Sequence, residues 1–479
     1  MIILFIILAI IIFIIGLCAI RTIIFVPKKE EKRTYEEVNI DKDSAIKSLA
    51  ELVKCKTISY YDHDKEDDGE FEKLVGKLPE LFPNVFKNLS FKRFEIGRAL
   101  LFHWKGKEEG PATVLMAHYD VVPIEIDQWT HKPFDAEIKD GIMWGRGTLD
   151  TKVTFNGILS AAENLLKQNF TPKYDIYFAF SGGEEINGPG AKEIVKYFSE
   201  NHIELECVVD EGGAVVKDVF PGVKEDCGLI GIAEKGLMNL KFEVNSNGGH
   251  ASAPSPHTPV GVLSKACYEI EDNPFTMHID GPASLMFDTL GRHSSLLYRI
   301  IFANLWLFKP VLNMLCKKNG GELNALVRTT CAFTQMTGSK APNVIPPTAS
   351  MVANFRLNPY DTTDSAIDYV KKIIDNNDIN VSMLEGYNPS KVSRVDVDGY
   401  RRVKEAIEDT WKGTIVSPYL MVQCSDSRHY SSISDRVYRF SAMDLTSEER
   451  KTIHGNDEHI RLETIGRAVE FFYRVIKNS

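Results

Sequence analysis

Five times along this chain the sequence runs into a group of acidic or histidine side chains: Met-Ala-His118-Tyr-Asp120, Gly145-Arg-Gly147-Thr-Leu-Asp150, Phe-Ser-Gly-Gly-Glu184-Glu185, Val-Val-Asp210-Glu211-Gly-Gly and Ile-His454-Gly-Asn-Asp-Glu. The runs Ala112–Ala117, Tyr174–Phe180 and Glu206–Asp210 are short and apolar, the pattern of strands buried on both faces. Helical patterns near 157–167 and 190–199 lie between them. Strands alternating with helices predict an α/β domain with a largely parallel or mixed central sheet. In open sheets of this kind, sites form where strands end. An unpaired carboxylate there costs several kcal/mol or loses its charge. A divalent metal would relieve that cost for the whole set, and two histidines plus carboxylates suit Zn²⁺, or Co²⁺ or Mn²⁺.

The rest of the chain is arranged around that domain. Asp43-Ser44 can cap a first helix carrying Ile46, Leu49, Leu52 and Val53. Near residue 234 the pattern becomes strict alternation, through Met238, Leu240, Phe242 and Val244 and again through Met351, Ala353 and Phe355. That predicts a sheet with one wet face, its other face covered by helices at 259–271 and 364–375. The expected organisation is an α/β domain in two parts, 41–233 and 389–479, with a smaller α+β domain, 234–388, inserted; the family resemblance described below implies that the first is catalytic and the second a lid or dimerisation domain. A Leu, Ile, Phe and Trp-rich stretch at 285–319 predicts an added helical hairpin. The chain ends in an amphipathic helix through Ile465, Val469, Phe472 and Ile476.

Residues Ile2 to Ile20 carry no charge. About 20 apolar residues span a bilayer core, whereas a signal-peptide core is about 7–15. Residues 1–26 therefore predict a single-pass N-terminal transmembrane anchor or uncleaved signal, followed by a charged linker, 27–40. Arg21, Lys28, Lys29, Lys32 and Arg33 argue for a cytoplasmic side after the helix. The sequons at Asn88 and Asn380 suit a lumenal or extracellular body, which is the expectation, with a secreted form as the alternative.

Composition excludes other classes. Hydrophobic residues make up 44% of the 479, too many for a disordered chain, and the formal charge of −10 argues against a nucleic-acid partner. None of the eight cysteines forms a C-x-x-C pair, so they predict buried thiols with one or two disulfides.

The order H-x-D, G-R-G-x-x-D, E-E, D-E-G and a late I-H-G strongly resembles the M20 family of co-catalytic zinc peptidases and amidohydrolases, from about residue 45 to the C-terminus. Asn324-Ala-Leu-Val-Arg-Thr-Thr330 and Pro342-Asn343-Val-Ile-Pro-Pro347 look like the branch that holds carboxypeptidase S and N-fatty-acyl-amino-acid synthase/hydrolase. The resemblance implies two Zn²⁺ per subunit. One would be held by His118 and an acid of the Asp210-Glu211 pair, the other by Glu185 and His454, with Asp150 bridging and followed by a cis peptide. It also implies Glu184 as general base, Asp120 as the residue orienting His118, and His250 as an oxyanion contact reaching across a homodimer. Asn343 and Arg356 would hold the substrate carboxylate, and Arg428 lies in a segment resembling a substrate loop. The expected activity is hydrolysis of the amide bond of N-acyl amino acids or of a peptide's C-terminal residue, reversible with fatty acids. The rival class is a catalytically silent, membrane-anchored receptor or scaffold.

Overall fold

The structure, a computed structural model, describes residues 1–28 and 36–479. Residues 29–35 of the expected linker, with Lys29, Lys32 and Arg33, lie outside the described residues.

An eight-stranded mixed sheet forms the centre. From one edge to the other its strands are Ser90–Arg93, Leu100–Trp104, Ile176–Ser181, Ala112–His118, Leu205–Val216, Val437–Leu445, Cys227–Glu234 and Ile415–Met421. Ala112–His118 runs parallel to both its neighbours, and His118 pairs with Ser181 at the matching end of the next strand. Parallel strands end on the same edge, so residues far apart in sequence are delivered to one place. The innermost strands are buried along their length, as uninterrupted apolar runs predict.

Helices cover both faces of this sheet. Lys152–Lys167 is buried from Lys152 to Leu165 and packs against Leu462–Lys477 and Lys42–Val53. Gly157 approaches Phe472 so closely that an added Cβ would lie 3.1 Å from its ring. The first helix starts one step earlier than expected. Asp41, rather than Asp43 or Ser44, is its N-cap, and its carboxylate accepts from the Ser44 amide. An acceptor there satisfies an amide that has no partner inside the helix. The helix stops where the buried Lys152 ammonium donates to the Leu52 and Cys55 carbonyls.

A second, four-stranded antiparallel sheet has the order Thr330–Thr337, Thr348–Leu357, Gly236–Asn245, Asn380–Tyr387. Met238, Leu240 and Phe242 alternate with half-buried residues and meet Met351, Ala353 and Phe355, under the helices Pro259–Asp272 and Thr363–Ile374. The expected hairpin at 285–319 is a larger insertion of four helices: Gly281–His293, Leu296–Ala303, Leu305–Asn319 and Gly321–Val327. The middle two meet at 107°, where Asn304 turns its side chain back to the Ile300 carbonyl.

Near the N-terminus, Ile2–Ile24 is one continuous helix, long and apolar enough to cross a membrane. The expected disulfides do not form. All eight cysteines are free thiols, and Cys55, Cys207, Cys227 and Cys316 are packed separately into the interior as small apolar groups.

Candidate metal and catalytic site

His118 is the last residue of its strand, and its ring is almost fully enclosed. Nδ1 lies 3.0 Å from the Asp120 carbonyl oxygen and 3.3 Å from Asp120 Oδ1. Nε2 points the other way, 3.0 Å from Asp150 Oδ1 and 3.3 Å from Glu211 Oε1. The second oxygen of Asp150 lies 3.0 Å from His454 Nε2, which in turn lies 3.1 Å from Glu185 Oε2. One carboxylate thus faces two imidazoles, one on each oxygen, and each imidazole faces a further carboxylate. His454 holds a left-handed backbone, φ 59°, a conformation that costs a non-glycine residue about 1 kcal/mol or more.

Asp120 does more than hold His118. Its Oδ1 accepts from the Glu184 amide at 3.1 Å, its Oδ2 from the Glu185 amide at 3.2 Å and from Ser59 Oγ at 2.7 Å. The turn Glu184–Ile186 is therefore clamped to the same buried carboxylate that orients the imidazole.

Two acids of similar type, Asp210 and Glu211, are separated by the backbone. The strand does not end at Asp210 but continues to Val216 through a bulge. Asp210 pairs with Arg439 and Gly213 with Phe440, leaving Glu211 and Gly212 without partners in that ladder. Gly212 has φ 148°, and a Cβ there would lie 2.7 Å from Arg439 Cβ, so only glycine fits. Asp210 spends both oxygens on backbone amides, those of Glu211 and Ser427, at 2.9 Å each. Glu211 is left to face His118.

Glu458, four residues after His454, is a site residue that the sequence reading missed. It is fully buried and pairs with Arg146 Nη1 at 2.6 Å. Its oxygens also accept from the amides of Gly147, Leu149 and Asp150, at 3.1, 2.7 and 3.2 Å. The glycine-rich loop that carries Asp150 is thus held by the segment that carries His454. The peptide after Asp150 is cis. Glu458→Gln leaves Arg146 buried without its counter-charge, so we expect about 3 kcal/mol or more of lost stability in denaturant unfolding. A fall in kcat with little change in KM should accompany it.

Burial pushes Glu184 well above the usual carboxyl range. Burial, reinforced by Asp150, also raises Glu185 and Glu211 to about 7. Asp150 is penalised by burial too, but His118 and His454 overcome this and hold it well below its ordinary value. Glu185 Oε1 is buried and has no hydrogen-bond partner among the described residues. Carboxylates that burial drives toward neutrality, with an orphaned oxygen among them, are what a divalent cation relieves. The donor atoms fit one: those of His118, Asp150 and Glu185 lie within 4.8 Å of one another, as do those of His118, Glu184 and Glu211.

The remaining expected residues fall into two places. Arg356, on the second sheet, donates to Cys424 Sγ at 3.3 Å. Arg428 donates to the Ser425 carbonyl and to Asn187 Oδ1 beside the Glu184 turn, and stacks over Tyr387. Both guanidiniums therefore lie beside the Cys424–Ser425 segment. His250 lies on an exposed two-stranded ribbon with Asn343 in the turn just before its second strand, and the Ala251 amide donates to the Asn343 carbonyl at 3.0 Å. Among the described residues, neither makes a hydrogen bond or ion pair to the His118 cluster.

Comparison with known proteins shows the family and the fold. Residues 114–478 match Peptidase family M20/M25/M40. The chain is 36% identical to the probable carboxypeptidase S-like 2 of Dictyostelium discoideum, covering 90% of this chain and 84% of that one. It is 34% identical to the N-fatty-acyl-amino acid synthase/hydrolase PM20D1 of Xenopus tropicalis, covering 94% and 89%. The solved M20 family metallo-carboxypeptidase Sso-CP2 from Sulfolobus solfataricus shares the fold with a TM-score of 0.64 at 19% identity, covering 90% of this chain and 98% of that one.

Proposed function

The chain belongs to peptidase family M20/M25/M40 and is a hydrolytic enzyme, and we propose that it is a dinuclear zinc amidohydrolase acting on amide bonds beside a free carboxylate. The observation that carries this reading is Asp150, whose two oxygens each face a histidine Nε2 at 3.0 Å.

In this reading His118, Glu211 and Asp150 hold one zinc, and Asp150, Glu185 and His454 the other. Asp210 is passed over because backbone amides already occupy both its oxygens. When bound, the pair supplies Lewis acidity, polarising the amide carbonyl and acidifying water. Glu184 Oε takes a proton from the attacking water and returns it to the leaving amine nitrogen. Asp120 keeps the proton of His118 on Nδ1, so that Nε2 presents its lone pair. Arg356 and Arg428 offer forked donors to the substrate carboxylate.

The segment 234–388 acts as the lid that brings Arg356 over the centre. His250 and Asn343 are supplied to the site by closure of that lid or from a second copy. The N-terminal helix is the membrane anchor, and the exposure of Asn88 and Asn380 suits a lumenal or extracellular body. By analogy with the two relatives named above, the substrates are N-acyl amino acids or peptides with a free C-terminus.

The test is an assay on an N-acyl-phenylalanine and a benzyloxycarbonyl-blocked dipeptide. Hydrolysis of at least one is expected, abolished by a chelator and restored by Zn²⁺. No chelator-sensitive turnover across a panel of acyl groups would leave a silent receptor or scaffold of the same fold.

A further inference from the structure

The helical insertion carries an apolar surface that the fold leaves uncovered. Leu297, Trp306, Leu307, Val311, Met314 and Leu315 are all exposed, Leu297 by 69% and Met314 by 61%. On Leu305–Asn319 the buried residues Leu312 and Cys316 define the inward face. At about 100° per residue, Trp306, Met314, Leu307, Val311 and Leu315 sweep an arc of about 180° away from it. A surface helix facing water would be polar over that arc, whereas here the only charged groups in it are Lys317 and Lys318 of the last turn. Contiguous exposed patches of this kind mark an interaction site.

The same helices hold the end of Ile2–Ile24. Arg21 Nε donates to the Ala303 carbonyl at 2.9 Å, and Asn304 Nδ2 reaches the Cys18 carbonyl and Thr22 Oγ1 at 3.3 Å each. Arg292 donates to the Val26 carbonyl and lies over the Phe25 ring, and Lys28 pairs with Asp288. Ile14 and Cys18 are half-buried and Thr22 buried, while the apolar residues before Ile14 are bare. Arg21, Ile24 and Trp306 line one cleft. The point where a bilayer-crossing helix would emerge is therefore fixed beside the uncovered surface. Lys317 and Lys318 stand in the last turn of Leu305–Asn319, with the exposed Lys309 on the same helix, and basic groups beside an apolar face suit anionic headgroups. Trp306 stands where interfacial tryptophans gather.

We infer that Leu296–Asn319 is a membrane-docking surface, seated in the interface of the bilayer that Ile2–Ile24 crosses, so that the catalytic body is held against the lipid at two places. This rests on the anchor reading above.

The full chain, reconstituted into phosphatidylcholine–phosphatidylserine vesicles whose acyl chains are brominated near the glycerol, tests it. Trp306 is isolated by comparison with Trp306→Phe. Emission that depends on Trp306 is expected to be quenched several-fold relative to unbrominated vesicles. A variant combining Leu297→Gln, Leu307→Gln, Met314→Gln and Leu315→Gln should still float with the vesicles and hydrolyse a soluble short-chain substrate at the wild-type rate, yet lose most of that quenching. A chain that floats with Trp306 unquenched overturns the docking alone, as does a chain whose Trp306 surface is instead crosslinked to a second copy. A chain that does not float overturns the anchor reading from which the docking starts.

Discussion

Glu184→Gln is expected to bind zinc as the wild type does and to lose about 10²–10⁴-fold in kcat. The amide is nearly isosteric with the carboxyl, and Asp120 would still receive the backbone amide of residue 184. The turn should therefore keep its shape. What disappears is the only group in the proposed scheme that accepts a proton from water and gives it to the departing amine. Glu211 and Glu185 are also near the cluster, but the scheme commits both to metal, so neither substitutes. Single-turnover kinetics alongside metal content separate the effects. Full metal with near wild-type turnover would remove Glu184 from the mechanism.

Asp150→Ala should be more damaging, because one residue serves both halves of the centre. Its removal leaves His118 Nε2 with Glu211 and His454 Nε2 with Glu185, and nothing joins the two pairs. Retained zinc is expected to fall for both sites together, with kcat/KM down by 10³-fold or more, equivalent to about 4 kcal/mol of transition-state stabilisation. His454 is the more vulnerable partner, since it is half exposed, whereas His118 is still gripped through Nδ1 by Asp120. Loss of a single zinc with the other held at full occupancy would argue against a bridging carboxylate.

Much of this was legible in the sequence, for identifiable reasons. His118 and Glu184-Glu185 follow uninterrupted apolar runs, and such runs in α/β chains become neighbouring buried strands that end together. The alternation around Met238–Val244 and Met351–Phe355 likewise survived into paired strands, because period two is a property of the backbone itself. Other features depended on long-range contacts that no local pattern carries. In the proposed scheme the choice between Asp210 and Glu211 turns on a bulge, and the bulge on how tightly Gly212 approaches Arg439. Glu458 sits in a Gly-Asn-Asp-Glu stretch that reads as a solvated loop, and its burial comes from Arg146, 312 positions away. Its only sequence signal was its closeness to His454. The disulfide expectation failed because irregular spacing describes isolated core thiols as well as paired ones. The insertion was recognised as apolar, but its uncovered arc shows only once the inward face is known.

The most direct measurement is anomalous diffraction at the zinc edge from crystals of the wild-type chain grown with Zn²⁺. Two maxima per chain are expected, one at His118 Nε2 with Glu211 and one at His454 Nε2 with Glu185, with Asp150 between them. A single maximum, or zinc seated away from these histidines, would contradict a dinuclear centre.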